Sequence, residues 1–532
     1  MSAAQNVDPT ATSPPASERS GGPRPHRSRV AHNAVLNFLG LAVPLALAFF
    51  VMPVAARYLG TVRFGLLGLA WAVTEYLTLF DLGLGRALVK FVADALHRDA
   101  GRLGEIVSLG VLAQVVAGII GGAVFFFAAP ILVHQVFKVS AETTSEAVAV
   151  FRIVGLSVPV VLLTSAQRAV LEGAQRFDLS ATIKMSSSIV SLSIPAIGAV
   201  YGASLASIML GVLLSRLVIC AAYAIAIRRA LPALRLTLSR DWELVRQLFS
   251  FGGWVLVSNT ISPLLVYFDR FVLGSVGGLL AVGFYTAPYE GVTRLLVIPV
   301  SLVSTILPAL TSLEARSDAE NFARLAGSSE RMLAVVMAVP LSVIVVFAPD
   351  LLRVWLGGQY AVESASALRV LAIGVFANTL AQPLFVTLYA RNRPDLPAKF
   401  HLIELGLHLP MTILLIKTFG ITGAAVAWTA RVILDLCLLF WAAARTSKSS
   451  AKALAGGRTV SGAVVIALLL IGLVVSKLLA SISVALTAVV ALGIVGIFIA
   501  ASWFWVFRDA ERSAIRGMLR SYYRPFGRIS AA

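Results

Sequence analysis

The sequence predicts an all-α polytopic membrane protein of about 14 transmembrane helices: two six-helix bundles related by an internal repeat, plus a C-terminal helix pair. Three observations predict it. The 532-residue chain is 58% hydrophobic and only 13% charged, and its apolar runs match the about 20 helical residues that cross a bilayer of about 30 Å. Its 44 Lys and Arg against 26 Asp and Glu give a net charge of +18. Yet the basic residues fall in short loops between apolar runs, a membrane-orientation signal that argues against nucleic acid as a partner. Third, Arg176-Phe177-Asp178-Leu179-Ser180-Ala181 returns 217 residues later as Arg393-Pro394-Asp395-Leu396-Pro397-Ala398. Phe151-Arg152-Ile153-Val154 and Leu368-Arg369-Val370-Leu371 keep that offset, while Pro195 and Arg216 answer Pro410 and Arg431 at 215. A long-period repeat of polar turns between apolar helices marks a duplicated unit, and such units usually pack around a central pathway.

In chain order, residues 1–32 are rich in Pro, Ser, Gly and Arg. With almost nothing to bury, they are predicted to form a disordered basic cytoplasmic tail. A long polar stretch before the first apolar run, and no small-residue cleavage site after it, distinguish this tail from a signal peptide. Residues 33–230 form the predicted N-terminal six-helix bundle, with runs at about 34–57, 64–86, 104–130, 147–170, 182–202 and 205–228. Residues 231–445 form the C-terminal six-helix bundle, with runs at about 249–274, 281–307, 332–349, 366–390, 400–417 and 422–444. Residues 446–507 add a helix pair at about 459–479 and 483–507, and residues 508–532 a basic cytoplasmic tail.

With both termini inside, roughly thirty basic residues lie in cytoplasmic loops or tails. Only Arg57, Arg63, Lys138, Arg353, Lys417 and Lys477 lie outside. In the final segment Arg508, Arg512, Arg516, Arg520, Arg524 and Arg528 recur every four residues. On a helix they present a basic face to anionic headgroups, which makes membrane lipids expected partners; a solvated charged tail is the alternative.

Other function classes find little support. Cys220 and Cys437 fall inside apolar runs without metal-binding neighbours, so neither a disulfide framework nor a metal site is expected. His26, His32, His97 and His134 also lack metal spacing. No GxxxxGK(S/T) phosphate loop occurs, so no ATP-hydrolysing site and no cofactor is expected. No outside loop exceeds roughly fifteen residues, too short for the catalytic loops of a membrane polymerase or ligase. The chain therefore reads as a non-enzyme.

Several stretches carry a family resemblance. Ala56-Arg57-Tyr58-Leu59-Gly60, Phe64-Gly65 and Asp81-Leu82-Gly83-Leu84-Gly85 open the first bundle. The second opens in like style with Tyr267-Phe268-Asp269-Arg270 through Gly274, then Gly283-Phe284-Tyr285-Thr286-Ala287. Leu307-Pro308-Ala309-Leu310, Leu356-Gly357-Gly358-Gln359-Tyr360 and Gly420-Ile421-Thr422-Gly423-Ala424-Ala425 follow. In this order, over roughly residues 33–445, they resemble the polysaccharide-biosynthesis flippases of the multidrug/oligosaccharidyl-lipid/polysaccharide exporter superfamily. The resemblance implies two bundles facing each other across a cavity that opens alternately to either side. It implies a cargo, an oligosaccharide on polyprenyl pyrophosphate, moved from the cytoplasmic to the outer leaflet of the bacterial inner membrane. A polysaccharide polymerase and other assembly proteins are the implied partners. Shorter members lack the last helix pair, which in the peptidoglycan-precursor branch is held to shelter the lipid tail.

Within this frame the intramembrane charges become candidates. Each costs at least about 2.5–3.5 kcal/mol on insertion scales and usually faces a bundle interior or water. They are Glu75, Asp81, Arg152, Arg216, Asp269, Arg270, Glu290, Arg294, Arg369, Glu404, His408, Arg431 and Asp435. Glu290 and Arg294, Arg431 and Asp435, and Glu404 and His408 stand four apart, where side chains share a helix face and can pair. Arg216 has no acid within a turn along the sequence, nor have Arg152 and Arg369 near the outer ends of their spans. A guanidinium binds pyrophosphate oxygens bidentately. The predicted pyrophosphate and glycan site is therefore Arg216, Arg431, Arg294, Arg270, Arg152 and Arg369, with salt bridges to other helices as the alternative. Asp81, Glu75, Asp269, Glu290, Glu404 and Asp435 form the coupling or gating set, since a carboxylate protonated on one side and released on the other couples transport to a proton gradient. Internal pairing is again the alternative, and sodium exchange stays open.

Prolines interrupt several runs, each removing a backbone hydrogen bond. Pro44 and Pro53 in the first run and Pro263 in the seventh lie at matching places in the two halves. They are the candidate gate hinges, ordinary packing kinks being the alternative. Three rival readings remain: a gradient-driven multidrug or metabolite exporter of the same fold, a membrane-embedded glycosyl- or acyltransferase, and an inactive assembly scaffold. Basic charge inside the bundles argues against the first when the drug is cationic. The second would need an acid, base and nucleophile at one membrane face, and none is legible.

Overall fold

The structure, a computed structural model, describes residues 27–77, 81, 83–98, 100–237, 246, 265–446, 457–478, 484–509, 511–513 and 516. Some helical side chains, those of Pro44 and Glu75 among them, lie outside that description. All regular structure among the described residues is helical. The N-terminal half contains α1 (Arg27–Leu77), α2 (Leu84–Arg98), α3 (Leu103–Ile131), α4 (Ala141–Gly173), α5 (Phe177–Val200) and α6 (Leu205–Ala230). The C-terminal half opens with α7 at residues 265–276. It continues with α8 (Gly278–Thr293), α9 (Val297–Ala315), α10 (Ala319–Trp355), α11 (Gly358–Glu363), α12 (Ala365–Ala390) and α13 (Asp395–Thr446). The last pair is α14 (Gly457–Leu478) and α15 (Val484–Ala501). Eleven helices among the described residues are long and apolar enough to cross a membrane, so the chain is an all-α, multi-pass membrane protein. Most of the run expected at 249–274, Pro263 included, lies outside the described residues.

Glycine, more than proline, breaks the longest helices. Inside α1 the backbone leaves helical angles at Gly60 (φ 74°), and inside α13 at Gly420 (φ 57°). Those angles favour glycine, which lacks the Cβ that would clash there. Pro44 and Pro53 sit in stretches of α1 where no such departure occurs. The predicted run at 64–86 also divides. Its helix ends at Leu77, Gly83 takes φ 71°, and α2 begins at Leu84.

The internal repeat is visible in the turns. Gln175 and Asn392 both adopt a left-handed conformation, at φ 58° and 56°. After each, an arginine grips the acid two residues on: Arg176 Nε and Nη2 donate to Asp178 at 3.1 and 3.1 Å, Arg393 to Asp395 at 2.9 and 3.3 Å. α3 and α4 pack through small residues, Gly118 against Pro159 and Gly122 against the Gly155 carbonyl, because lipid gives no hydrophobic drive and close backbone approach replaces it. The last pair docks on α10 through Ala338, Val346, Val465, Leu469, Leu473 and Phe498. Ion pairs pin both ends of that contact, Arg331 to Glu511 and, at 3.0 Å, Lys477 to Asp350.

The two halves meet at one end. Arg57 Nη2 donates to the Val354 carbonyl at 3.2 Å, and Trp355 Nε1 to that of Phe49 at 2.8 Å. Lys138 donates its backbone N–H to Gly274 and its Nζ to Val276, each at 3.0 Å. Glycine makes the closest approach possible: a Cβ added at Gly65 would lie 1.9 Å from the Leu279 carbonyl oxygen, and one at Gly283 2.2 Å from that of Thr61. Hydrogen bonds, ring pairs and glycine approaches link residues 49–76 and 137–138 to residues 267–286 and 354–360 across the two halves. The contacts at Arg57, Gly65 and Lys138 lie at the end expected outside from the Lys and Arg distribution, while Tyr76 meets Tyr267 and Phe271 nearer mid-span.

Candidate functional site

In the C-terminal half, three helices bring buried charges into one polar seam. α7 supplies Asp269 and Arg270, α8 supplies Tyr285, Tyr289 and Glu290, and Arg294 follows at the 3₁₀ turn before α9. The two arms of α13, joined at Gly420, supply His401 and Glu404, then Trp428, Arg431 and Asp435. The arms lie side by side, since Arg431 Nη1 donates to Glu404 Oε2 at 3.1 Å across 27 residues.

Arg270 is fully buried and donates Nη2 to Glu290 Oε1 at 2.6 Å. Its guanidinium also lies 5.2 and 4.9 Å from the rings of Tyr267 and Tyr289, a cation–π sandwich that offsets desolvation. Asp269, 1% exposed, accepts from the Arg270 backbone N–H at 2.7 Å and from the Tyr285 hydroxyl. Arg294 reaches the other oxygen of Glu290 at 3.4 Å. Tyr289 meets Trp428 edge-on at 5.7 Å and connects this group to the second. There, His401 Nδ1 stands 3.6 Å from Glu404 Oε1, and one ligand-capable atom from each of His401, Glu404 and Asp435 lies within 4.8 Å of the others. Such a group can share a proton or a small cation. Arg431 Nε, Glu404 Oε1 and Asp435 Oδ1 are buried without a hydrogen-bond partner among the described residues.

The predicted charges separate into seam and scaffold. Arg270, Arg294 and Arg431, with Asp269, Glu290, Glu404 and Asp435, gather in the seam, where four carboxylates stand against three arginines. The expected Glu290–Arg294 pair forms. Arg431, in contrast, pairs with Glu404 on the other arm, and His408 meets the Thr412 hydroxyl at 3.3 Å. Arg369 serves the scaffold, where its Nε donates to the Val345 carbonyl at 3.2 Å. Pro349 has no N–H to offer that carbonyl four residues back, and the helix departs from ideal angles at Phe347 between them. Arg152 is exposed, its guanidinium 5.2 Å from the Phe126 ring. Arg216 on α6 donates Nη1 to Ser157 Oγ of α4 at 2.8 Å. Asp81 receives Gln114 Nε2 and, at 3.4 Å, the backbone N–H of Gly85, so it caps α2. The side chain of Glu75 lies outside the described residues.

Sequence reading missed the aromatic lining, Tyr267, Tyr285, Tyr289 and Trp428, and also His401 and Ser157. A signal existed for two of them: Tyr285 and Tyr289 stand four apart, as Glu290 and Arg294 do, on the same helical stretch. His401, three residues before Glu404, was legible in the same way.

A family model described as "Polysaccharide biosynthesis protein" matches residues 30–314. A Shigella flexneri protein described as "Putative O-antigen transporter" is 30% identical over 414 residues, 77% of this chain and 97% of its own. A solved structure titled "Inward-facing conformation of a multidrug resistance MATE family transporter of the MOP superfamily" superposes with TM-score 0.66 at 14% identity, over 78% of this chain and 99% of that one. Another, "Lipid II flippase MurJ, inward closed conformation", gives TM-score 0.64 at 13% identity, over 88% of this chain and 98% of that one. At such identities these two establish the fold, on which both an exporter and a flippase are built.

Proposed function

Because this chain belongs to the polysaccharide biosynthesis protein family, we propose that it is a flippase that turns a lipid-linked oligosaccharide from the cytoplasmic to the outer leaflet. The cargo is a glycan repeat unit on polyprenyl pyrophosphate, the membrane is the bacterial inner membrane, and both termini are cytoplasmic. The observation that carries the mechanism is the one-ended contact between the halves. With backbone approaches at Gly65 and Gly283 closing the end expected outside, the opposite end is the side that admits a hydrated headgroup in this reading. Parting this contact while the opposite ends of the halves come together exchanges the open side.

In this cycle Arg216 is the first contact for the diphosphate. A phosphate oxygen is a stronger acceptor for its guanidinium than the Ser157 hydroxyl it holds at 2.8 Å. The polar seam acts as the coupling element. A proton or small cation entering at His401, Glu404 and Asp435 loosens the hold of Glu404 on Arg431, and the freed arginine turns to the cargo. Arg270 and Arg369 position the fold and take no part in cargo contact. No group in this scheme makes or breaks a covalent bond. A polymerase that consumes the translocated repeat unit is the natural assembly partner.

Replacing Arg216 and Arg431 by Ala, separately and together, tests the assignment. Lipid-linked glycan is expected to accumulate on the inner leaflet at normal protein levels, most in the double variant. Unchanged export in the double variant removes both arginines from the mechanism. The seam's excess of carboxylates over arginines, four to three, favours one second reading, a cation-exchanging exporter. Efflux of a cationic dye from cells, abolished by Glu404→Gln while glycan export persists, would establish it.

A further inference from the structure

The repeat builds a feature that transport itself does not use. At the end opposite the contact between the halves, each half carries a pocket between the turn that opens its fifth span and the end of its sixth. The first, about 540 Å³, lies among Arg176, Leu179, Ile225, Ala226 and Arg229. The second, about 480 Å³, lies among Arg393, Leu396, Trp441, Ala442 and Arg445, with Glu314 and Arg391 at its edge. Arg176 and Leu179 correspond to Arg393 and Leu396 at 217 residues, and Ala226 and Arg229 to Ala442 and Arg445 at 216. The two pockets are therefore one structural device made twice.

Their chemistry is amphipathic. In each, the turn arginine is held by its own acid, Asp178 or Asp395, so the cationic contribution rests on the helix-end arginine. Arg229 is exposed on the last turn of α6. Arg445 is exposed on the last turn of α13, its guanidinium 4.4 Å from the Trp441 ring. Arg391 at the second rim is offset by Glu314 at 3.7 Å. Each pocket thus carries about one net positive charge above leucine, isoleucine, alanine or tryptophan walls. It opens at the level where the Lys and Arg distribution places the cytoplasmic headgroups.

We propose that these two pockets are paired binding sites for an anionic glycerophospholipid of the inner leaflet. Each seats one phosphodiester headgroup on Arg229 or Arg445 and one acyl stem along the apolar wall. One net charge matches a singly charged phosphodiester; the pyrophosphate of the cargo carries more and suits the pathway between the halves. Two lipids, one per half, tether the ends of the halves that separate during transport to the surface on which they slide.

The test uses the purified full-length chain in neutral detergent, with binding read as the rise in unfolding temperature on titration. Phosphatidylglycerol is expected to give a saturable rise, and phosphatidylcholine or inorganic phosphate none. Arg229→Gln and Arg445→Gln should each weaken the phosphatidylglycerol response, by about fivefold in midpoint for the altered pocket at the usual contribution of one arginine near a charged surface. Together they should shift the whole response about fivefold to higher lipid concentration, while Arg229→Lys with Arg445→Lys keeps most of it. Elution of the Gln variants as a single species with the parental unfolding temperature in lipid-free detergent confirms that they fold. An equal response to phosphatidylcholine or inorganic phosphate, an unshifted response in the double Gln variant, or a response to polyprenyl pyrophosphate alone would overturn the proposal.

Discussion

Gly65 is the position at which one methyl group should change the conformational equilibrium. A Cβ there would fall 1.9 Å from the Leu279 carbonyl oxygen and 2.8 Å from the Gly283 backbone nitrogen. Ordinary contact begins near 3.4 Å, so Gly65→Ala must move α1 and α8 apart by about 1.5 Å, because neither obstacle is a side chain that could rotate away. Overpacking of this kind costs about 1–3 kcal/mol. Here the cost falls only on the state closed at the outer end. The substitution should therefore shift the closed-to-open ratio by roughly 5- to 150-fold. Spin labels at Tyr58 and Val362, both exposed, in a chain with Cys220 and Cys437 replaced by Ser, report the outer-end distance by double electron–electron resonance. A longer distance population should appear or grow in Gly65→Ala, and Gly283→Ala should do the same. Identical distributions in parent and variants, with both variants folded, would refute the idea that these glycines form the outer seal.

Three further outcomes follow from the same contacts. Arg369→Met leaves the Val345 carbonyl unsatisfied at the Phe347 bend and should destabilise the protein by about 1–3 kcal/mol, read as a lower denaturation midpoint, without a selective loss of cargo affinity. Glu404→Gln strands Arg431 in the seam and should cost up to about 3–5 kcal/mol; pairing it with Arg431→Met should restore the unfolding temperature while export stays lost. Lys477→Ala and Arg331→Ala cut the two ion pairs that pin the last helix pair to α10. Either should speed proteolysis after Arg445, and the double variant should do so more than additively.

The parts legible in the sequence were those set by local spacing. The offset between Arg176 and Arg393 foretold two turns that share a left-handed residue and a bidentate arginine–aspartate grip. Spacing of four foretold Glu290–Arg294. What sequence could not show depends on how arms fold back. Glu404 partners Arg431 rather than His408 because Gly420 lays the second arm of α13 along the first. Arg369 meets the Val345 carbonyl because Pro349, on the long helix before it, withholds an N–H. Proline positions suggested hinges in α1, where the backbone instead turns at Gly60. A single chain shows that a proline weakens a helix, but not whether neighbouring helices hold it straight.

Reconstituted translocation tests the central claim most directly. The chain is placed in vesicles with a fluorescent lipid-linked oligosaccharide on the inner leaflet, and glycan reaching the outer leaflet is counted with an added lectin. Glycan should appear outside faster than in protein-free vesicles. Bridging Arg57→Cys and Val354→Cys with a reducible thiol-to-thiol linker, in a chain with Cys220 and Cys437 replaced by Ser, holds the outer end shut and should return the rate to the protein-free value, and reduction should restore it. Equal rates with and without protein, or a cross-linked chain that still delivers glycan, would contradict the account.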